Sequence, residues 1–111
     1  MTYTREQLDK MRNWVALNVM KYRKVQNGKQ PYYEVDDYSI DVEWVEDFKP
    51  DTDPSQMFKA LDTFDVWICG NDSHGAYCQI VEDGVIKGGA VRKPLGLAAL
   101  IAMCRASGMP E

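Results

Sequence analysis

The spacing of hydrophobic residues near the start of the chain predicts an amphipathic helix. The apolar positions that fall on one helical stripe are Leu8, Met11, Val15, Val19 and Tyr22. Ahead of this stripe, Thr4 and Gln7 have the spacing of a capping box, in which each side chain satisfies a backbone N–H of the other. We therefore predict a first helix from about residue 5 to the mid-20s, with Gly28 as its stop.

The next part of the chain alternates between apolar and polar residues with the period of a β-strand. The apolar positions are Tyr33, Val35, Ile40, Val42 and Trp44, and most of the residues between them are acidic. Residues 36–39 supply a polar turn. This pattern predicts a hairpin with one buried face and one acidic, solvated face.

A second helix is predicted over residues 54–64, because Asp53 suits an N-cap, Pro54 suits the first helical turn and Gln56 has the capping-box position. Three strands should follow, over 65–69, 77–81 and 85–91, with residues 70–75 as the first connection. Asp83-Gly84 is a strong two-residue hairpin signal between the last two strands, and Gly88-Gly89 indicates a bulge or bend.

A last helix is predicted from Pro94 to about Ala106, with Gly108 beyond its end. It is apolar nearly all round, so it should lie at the centre of the fold or be shared with a second copy. The resulting order, α-ββ-α-βββ-α, predicts the α+β class: three helices packed on a largely antiparallel sheet of about five strands. A chain of 111 residues fits a single domain over 1–111.

Four segments together resemble a known family. They are VALNVM at 15–20, the hairpin rich in Tyr and Trp, FKPDTD at 48–53 leading into a helix with Ala60, and PLGLAALIAMCRA at 94–106. Over about residues 8–106 the chain resembles the phage ABA-sandwich domain, found in small accessory proteins of tailed phages and prophages. The resemblance implies an α/β/α sandwich and a phage origin, and it implies no catalytic residues.

Charge is strongly segregated along the chain, although the net charge is only −4. Residues 1–30 balance to +5, residues 34–65 balance to −9, and the rest balances to zero. Such segregation bears on partner choice and association rate. The mildly acidic total argues against direct nucleic-acid binding, and no apolar run is long enough to span a membrane. Three scattered cysteines indicate reduced thiols in a cytosol.

The residue patterns that support catalysis are weak in this chain. A metal site can be drawn from Cys69, Asp72, His74 and Cys78, but no metal-ligand spacing supports it. With one histidine and no nucleophile elbow, a thiol or hydroxyl nucleophile lacks a base. We therefore expect a protein that is not an enzyme and needs no metal or cofactor.

The acidic hairpin is the predicted contact surface for a partner. Its residues are Glu34, Asp36, Asp37, Asp41, Glu43, Glu46 and Asp47. A continuous negative strip can imitate a phosphate backbone and compete for basic grooves in nucleic-acid-handling complexes. The leading hypothesis is a phage protein in the host cytoplasm that binds a host or phage protein, such as an inhibitor of a CRISPR-type defence complex.

Two further surfaces are candidates from the sequence. Gly89, Arg92 and Lys93 precede the last helix, so their cations and its N-terminal N–H groups suggest an anion or nucleotide site, the alternative function. Trp14, Leu17 and Met20 suggest a patch for self-association, as in a homodimer or a structural phage component.

Overall fold

The computed structural model describes residues 3–21, 23–27, 30–35, 43–45, 48–73 and 75–110, and in the strands before residue 48 the description concerns the backbone. The described elements follow the order α-βββ-α-βββ-α. They are α1 (Arg5–Asn18), β1 (Arg23–Asn27), β2 (Gln30–Val35), β3 (Glu43–Val45), α2 (Pro54–Leu61), β4 (Val66–Asp72), β5 (Gly75–Glu82), β6 (Val85–Val91) and α3 (Leu95–Ala106).

The α+β class with three helices and antiparallel strands is confirmed, but the predicted strand count and order are not. The described strands number six and form two three-stranded sheets, β1-β2-β3 and β4-β5-β6, in place of one sheet of five. Both sheets are antiparallel meanders with the middle strand in the centre. The extra strand is β1, which occupies positions predicted to be helical.

Helix α1 begins as predicted and ends earlier. The capping box is present: the Thr4 hydroxyl accepts from the Gln7 N–H at 3.1 Å, and the Gln7 side chain accepts from the Thr4 N–H at 2.8 Å. The prediction that the helix continues into the mid-20s is wrong. Lys21 has a φ of 61°, a left-handed conformation that turns the chain, and residues 23–27 then pair with β2.

The start of α2 follows the sequence signals closely. Asp53 is the N-cap, its carboxylate accepts from the N–H groups of Ser55 and Gln56, and Pro54 opens the helix. The Gln56 side chain does not close a capping box; it accepts from the Lys49 N–H at 2.7 Å and so holds the preceding loop. The helix ends at Leu61, one turn before the predicted end at residue 64.

The hairpin signal at Asp83-Gly84 is confirmed, since both residues have positive φ, 53° and 75°. The bulge predicted at Gly88-Gly89 lies one residue earlier: Ile80 pairs with Gly88 and Val81 pairs with Ile86, so Lys87 is the extra residue. The first connection of this sheet is shorter than predicted, because β4 extends to residue 72 and β5 begins at residue 75.

Helix α3 lies at the centre of the fold, which explains why it is apolar all round. It contacts β4, β5 and β6 on one side and α1 and α2 on the other. Its fully or nearly fully buried residues are Ala98, Ala99, Leu100, Ile101, Ala102, Met103 and Cys104. The helix comes so close to β6 that a Cβ at Gly88 would collide with the Ala102 carbonyl oxygen and lie 2.6 Å from the Ala106 nitrogen. Only glycine fits at that crossing.

Candidate functional site

The acidic hairpin does not form one acidic face at the two positions that the structure describes. In the β2–β3 register, Glu34 lies opposite Trp44 and Val35 lies opposite Glu43. Residues directly opposite share a face, and adjacent residues of a strand alternate between faces. Positions 34 and 43 therefore belong to opposite faces, which contradicts the single wet face expected for them. The other predicted contact residues, Asp36, Asp37, Asp41, Glu46 and Asp47, lie outside the described residues.

Several other carboxylates of the negative stretch 34–65 have structural roles. Asp53 caps α2, and Asp62 accepts from the Trp67 indole N–H at 3.3 Å. Asp51 is 8% exposed and pairs with Arg12 of the opening helix. Part of the negative charge counted along the sequence is thus hydrogen-bonded or ion-paired within the chain.

The Arg12–Asp51 pair joins α1 to the loop before α2. Arg12 Nε donates to Asp51 Oδ1 at 2.7 Å, and Nη2 donates to Oδ2 at 2.6 Å, a bidentate geometry. The hydrogen bond to Asp51 raises the pKa of Arg12 above its usual value. The Asp51 backbone also packs on α3, because a Cβ at Gly96 would collide with the Asp51 carbonyl oxygen.

The three residues of the predicted anion site have separate neighbours in the structure, and the Asp51 backbone lies against Gly96 in the first turn of α3. The Gly89 carbonyl accepts from Arg105 Nη1 at 2.6 Å, and the Arg92 guanidinium stacks on the Tyr3 ring, 4.7 Å from its centroid. The Lys93 stem lies beside Gly75.

A cavity of about 350 Å³ lies between α1, α3 and the turn that follows α3. It is lined by Tyr3, Gln7, Lys10, Met11, Ile101, Cys104, Arg105, Met109 and Pro110. Its floor is apolar, and Lys10 and Arg105 bring positive charge to its wall. No local pattern predicts this cavity, because its lining comes from residues 3–11 and 101–110, which are far apart in sequence.

The thiols are poorly suited to nucleophilic chemistry. Cys69 and Cys78 lie directly opposite each other, as expected, and all three cysteines are free. Burial raises the pKa of Cys78 strongly and that of Cys104 to about 12. Among the side chains that the structure describes, no three metal-ligating groups cluster; His74 and the side chain of Asp72 are outside that set.

The predicted self-association patch is mostly used within the chain. Trp14 Nε1 donates to Ser107 Oγ at 2.8 Å, which ties α1 to the end of α3. Trp14 and Met20 both pack against the hydrophobic core. Leu17 is half-buried and borders a shallow groove beside Trp14. Trp14, Leu17 and Met20 are all half-buried, and self-association through them stays a prediction.

A larger apolar surface lies on the side of the β4-β5-β6 sheet that faces away from α3. The register places nine residues on it, three from each strand, and we call them the outward sheet face: Val66, Ile68, Gly70, Tyr77, Gln79, Val81, Ile86, Gly89 and Val91. The opposite face carries Cys78 and Ile80, which are fully buried. By contrast, Val66, Ile68, Ile86 and Val91 are 48–66% exposed. Sequence analysis missed this surface because apolar strands suggest buried strands.

None of the helices in the described ranges is both long and apolar enough to cross a lipid bilayer.

The chain matches no family model, no curated protein and no solved structure.

Proposed function

We propose that this protein acts by binding another protein and not by catalysis, as an accessory protein of the phage ABA-sandwich type. Its site of action would be the host cytoplasm, and its target a nucleic-acid-handling defence complex. The observation that carries the proposal is the charge of residues 34–47, seven of which are acidic while none is basic. A segment of this kind favours a basic partner surface and speeds the encounter with it.

The described structure supports this proposal in three ways. Other carboxylates of the negative stretch, Asp51, Asp53 and Asp62, have hydrogen-bond or ion-pair partners within the described chain, so the proposal rests on the acidic residues of 34–47. The buried, high-pKa thiols Cys78 and Cys104 argue against covalent catalysis. A central apolar α3 and the antiparallel strands are the parts of the α/β/α sandwich that the proposal requires.

Affinity capture from infected cells, followed by a binding assay with the captured protein, tests the proposal. Reversing Asp36 and Asp37 to lysine should weaken binding at least tenfold and flatten its dependence on salt, because the attraction is electrostatic. The matched control variant replaces Glu6 and Asp65, both exposed, with lysine, so that its net charge changes by the same amount. Equal binding by both variants would refute the acidic segment as the contact surface.

A second candidate function, small-anion binding, is favoured by the cavity between α1 and α3. Its volume, apolar floor and flanking Lys10 and Arg105 suit a ligand with a flat or aliphatic body and an anionic group, such as a nucleotide. Calorimetry against a panel of mono- and cyclic nucleotides should give micromolar binding that is lost in Lys10→Ala. An absence of heat with every nucleotide would eliminate this candidate.

A further inference from the structure

The strands of the β4-β5-β6 sheet are apolar on both faces, although only one face is covered within the described chain. In β4 the run Val66-Trp67-Ile68-Cys69 has no polar alternation. An antiparallel sheet with one solvated face normally alternates polar and apolar residues, whereas a sheet covered on both faces does not. The outward sheet face thus has the composition of a buried surface.

We propose that a second copy of this chain covers the outward sheet face. None of its nine residues is charged, and homodimer interfaces are more apolar than those of partners that also exist apart. A partner selected by charge finds nothing to pair with among these nine residues; the exposed Lys87 lies beside Ile86 at the register shift, at one end of the face. The inference is independent of the acidic segment and of the proposed function.

Two positions of the face are glycines with neighbouring side chains beside them, which suits sheet-on-sheet packing. Glycine at position 70 leaves room for the Tyr77 ring, since a Cβ there would lie 2.8 Å from the Tyr77 hydroxyl oxygen. The stem of Gln79 lies in the same way beside Gly89, 3.6 Å from the Cβ position. Side chains laid over glycines make a low surface, against which another sheet can pack at about 10 Å.

The arrangement of the face also suits two-fold symmetry. Gln79 lies in the central strand, between Ile68 and Gly89 of its neighbours, and so occupies the middle of the patch. A two-fold axis there sets each face against itself, as an isologous dimer requires. The Gln79 amide both donates and accepts, so it can pair with the same amide of the other copy.

The size of the face predicts a weak dimer. Its exposed area is on the order of 500 Å², among the largest patches that single chains expose. Two copies would bury about 1,000 Å² in total, the lower limit for a specific interface. We therefore expect a dissociation constant in the range of about 10 to 100 µM, with the dimer dominant only above it.

Sedimentation equilibrium of the full chain over about 5 to 500 µM measures the dissociation constant of the dimer directly. The mass should rise from the 12.7 kDa of one chain to twice that value and stop there. A mass that stays at one chain up to the highest concentration would overturn the proposal. So would growth beyond two chains, since a closed two-fold interface cannot extend.

Two adjacent residues of β6 provide a matched pair of variants. Val85 and Ile86 are 56% and 58% exposed, but Ile86 lies opposite Val81 on the outward sheet face, whereas Val85 belongs to the other face. Ile86→Lys should raise the dissociation constant at least tenfold, and Val85→Lys should leave it unchanged. Leu17→Lys, on α1, should also leave the dissociation constant unchanged. If the Leu17→Lys variant is monomeric, the interface lies on α1 and the outward sheet face is refuted as the interface.

Ile68→Lys repeats the test on β4, with circular dichroism to establish that each variant is folded. If neither outward-face variant folds, the unmodified chain supplies the answer through hydroxyl-radical labelling of Tyr77. The labelling should fall as concentration rises through the dissociation constant. Labelling that is constant across the series, or a dimer that survives both Ile68→Lys and Ile86→Lys, would refute the proposed interface.

Discussion

The guanidinium of Arg12 and the carboxylate of Asp51 form a buried bidentate pair between residues 39 positions apart, with hydrogen bonds of 2.7 and 2.6 Å. Their side chains are 14% and 6% exposed, so the pair is shielded from solvent. Asp51 also contacts the first turn of α3 through its backbone at Gly96. One acidic residue thus connects α1, the loop before α2 and α3.

Arg12→Ala should destabilise the fold by about 3 kcal/mol or more, because the buried Asp51 carboxylate loses the charge that pairs with it. Asp51→Ala should cost less, because Arg12 keeps its ion pair with Asp9 at 3.2 Å. Arg12→Ala and Asp51→Ala test this by urea unfolding, followed through tryptophan fluorescence. The exposed pair Glu6–Lys10, at 3.8 Å, is the control, and Lys10→Ala should cost less than about 0.5 kcal/mol. Additive effects of Arg12→Ala and Asp51→Ala in the double variant would show that the pair is not coupled.

The two adjacent glycines of β6 should respond differently to alanine. At Gly88 the new Cβ meets the backbone of α3, which cannot move aside as a flexible side chain can, so Gly88→Ala should cost about 2 kcal/mol or more. At Gly89 the nearest atoms are 3.6 Å from the Cβ position, an ordinary contact, and Gly89→Ala should change stability by less than about 1 kcal/mol. Thermal unfolding of both variants measures the difference; equal losses would contradict the close strand–helix crossing.

The thiol of Cys104 makes stability depend on alkaline pH. Burial raises its pKa from 9.0 to about 12, so the unfolded chain releases this proton at lower pH than the folded one. The contribution is complete below pH 9 and is lost as pH rises toward 12. Between pH 8 and 10, Cys104 alone should lower the free energy of unfolding by about 1.3 kcal/mol.

Urea unfolding at the two pH values, compared with Cys104→Ala, isolates this thiol because the variant lacks the titrating group. The variant should show a loss that is smaller by about that amount. In the native protein, Cys78 and Cys104 should also resist iodoacetamide at pH 8 and react once the chain is unfolded. Rapid alkylation of Cys78 or Cys104 in the native protein would contradict their burial.

Helix α2 depends on its N-cap. Asp53→Ala removes the acceptor for the N–H groups of Ser55 and Gln56 and should cost about 1 kcal/mol. Ser55→Ala is the matched control on an exposed neighbouring position, and we expect a change below about 0.5 kcal/mol. Chemical unfolding measures the loss of stability in both variants. Equal losses in Asp53→Ala and Ser55→Ala would mean that solvent replaces the Asp53 cap.

The elements that sequence analysis predicted well depend on local signals. The Thr4 capping box, the Asp53 cap and the Asp83-Gly84 turn each involve residues within three or four positions of one another. The end of α1 was missed because residues 23–27 pair with residues 30–35, and this pairing competes with helix continuation. Intrinsic helix propensity is a property of single residues and does not include competition from strand pairing.

The candidate sites were predicted less well than the fold. Trp14 was assigned to an outer patch, yet its indole bonds Ser107, 93 positions away. The acidic alternation of the hairpin suggested one face, but the register sets Glu34 opposite Trp44. A single-residue change of register exchanges the faces of a strand, so the alternation within each strand cannot determine which faces coincide.

The sequence by itself determined the three helices, the capping residues, the tight turn of the β5–β6 hairpin and the apolar character of α3, because these follow from short-range hydrogen bonds and from periodicity. Only the tertiary structure decided that Arg12 neutralises Asp51, that Gly88 faces the α3 backbone and that none of the described elements covers the outward sheet face. Those outcomes depend on contacts between distant parts of the chain, where packing and register select among arrangements that local signals leave equally open.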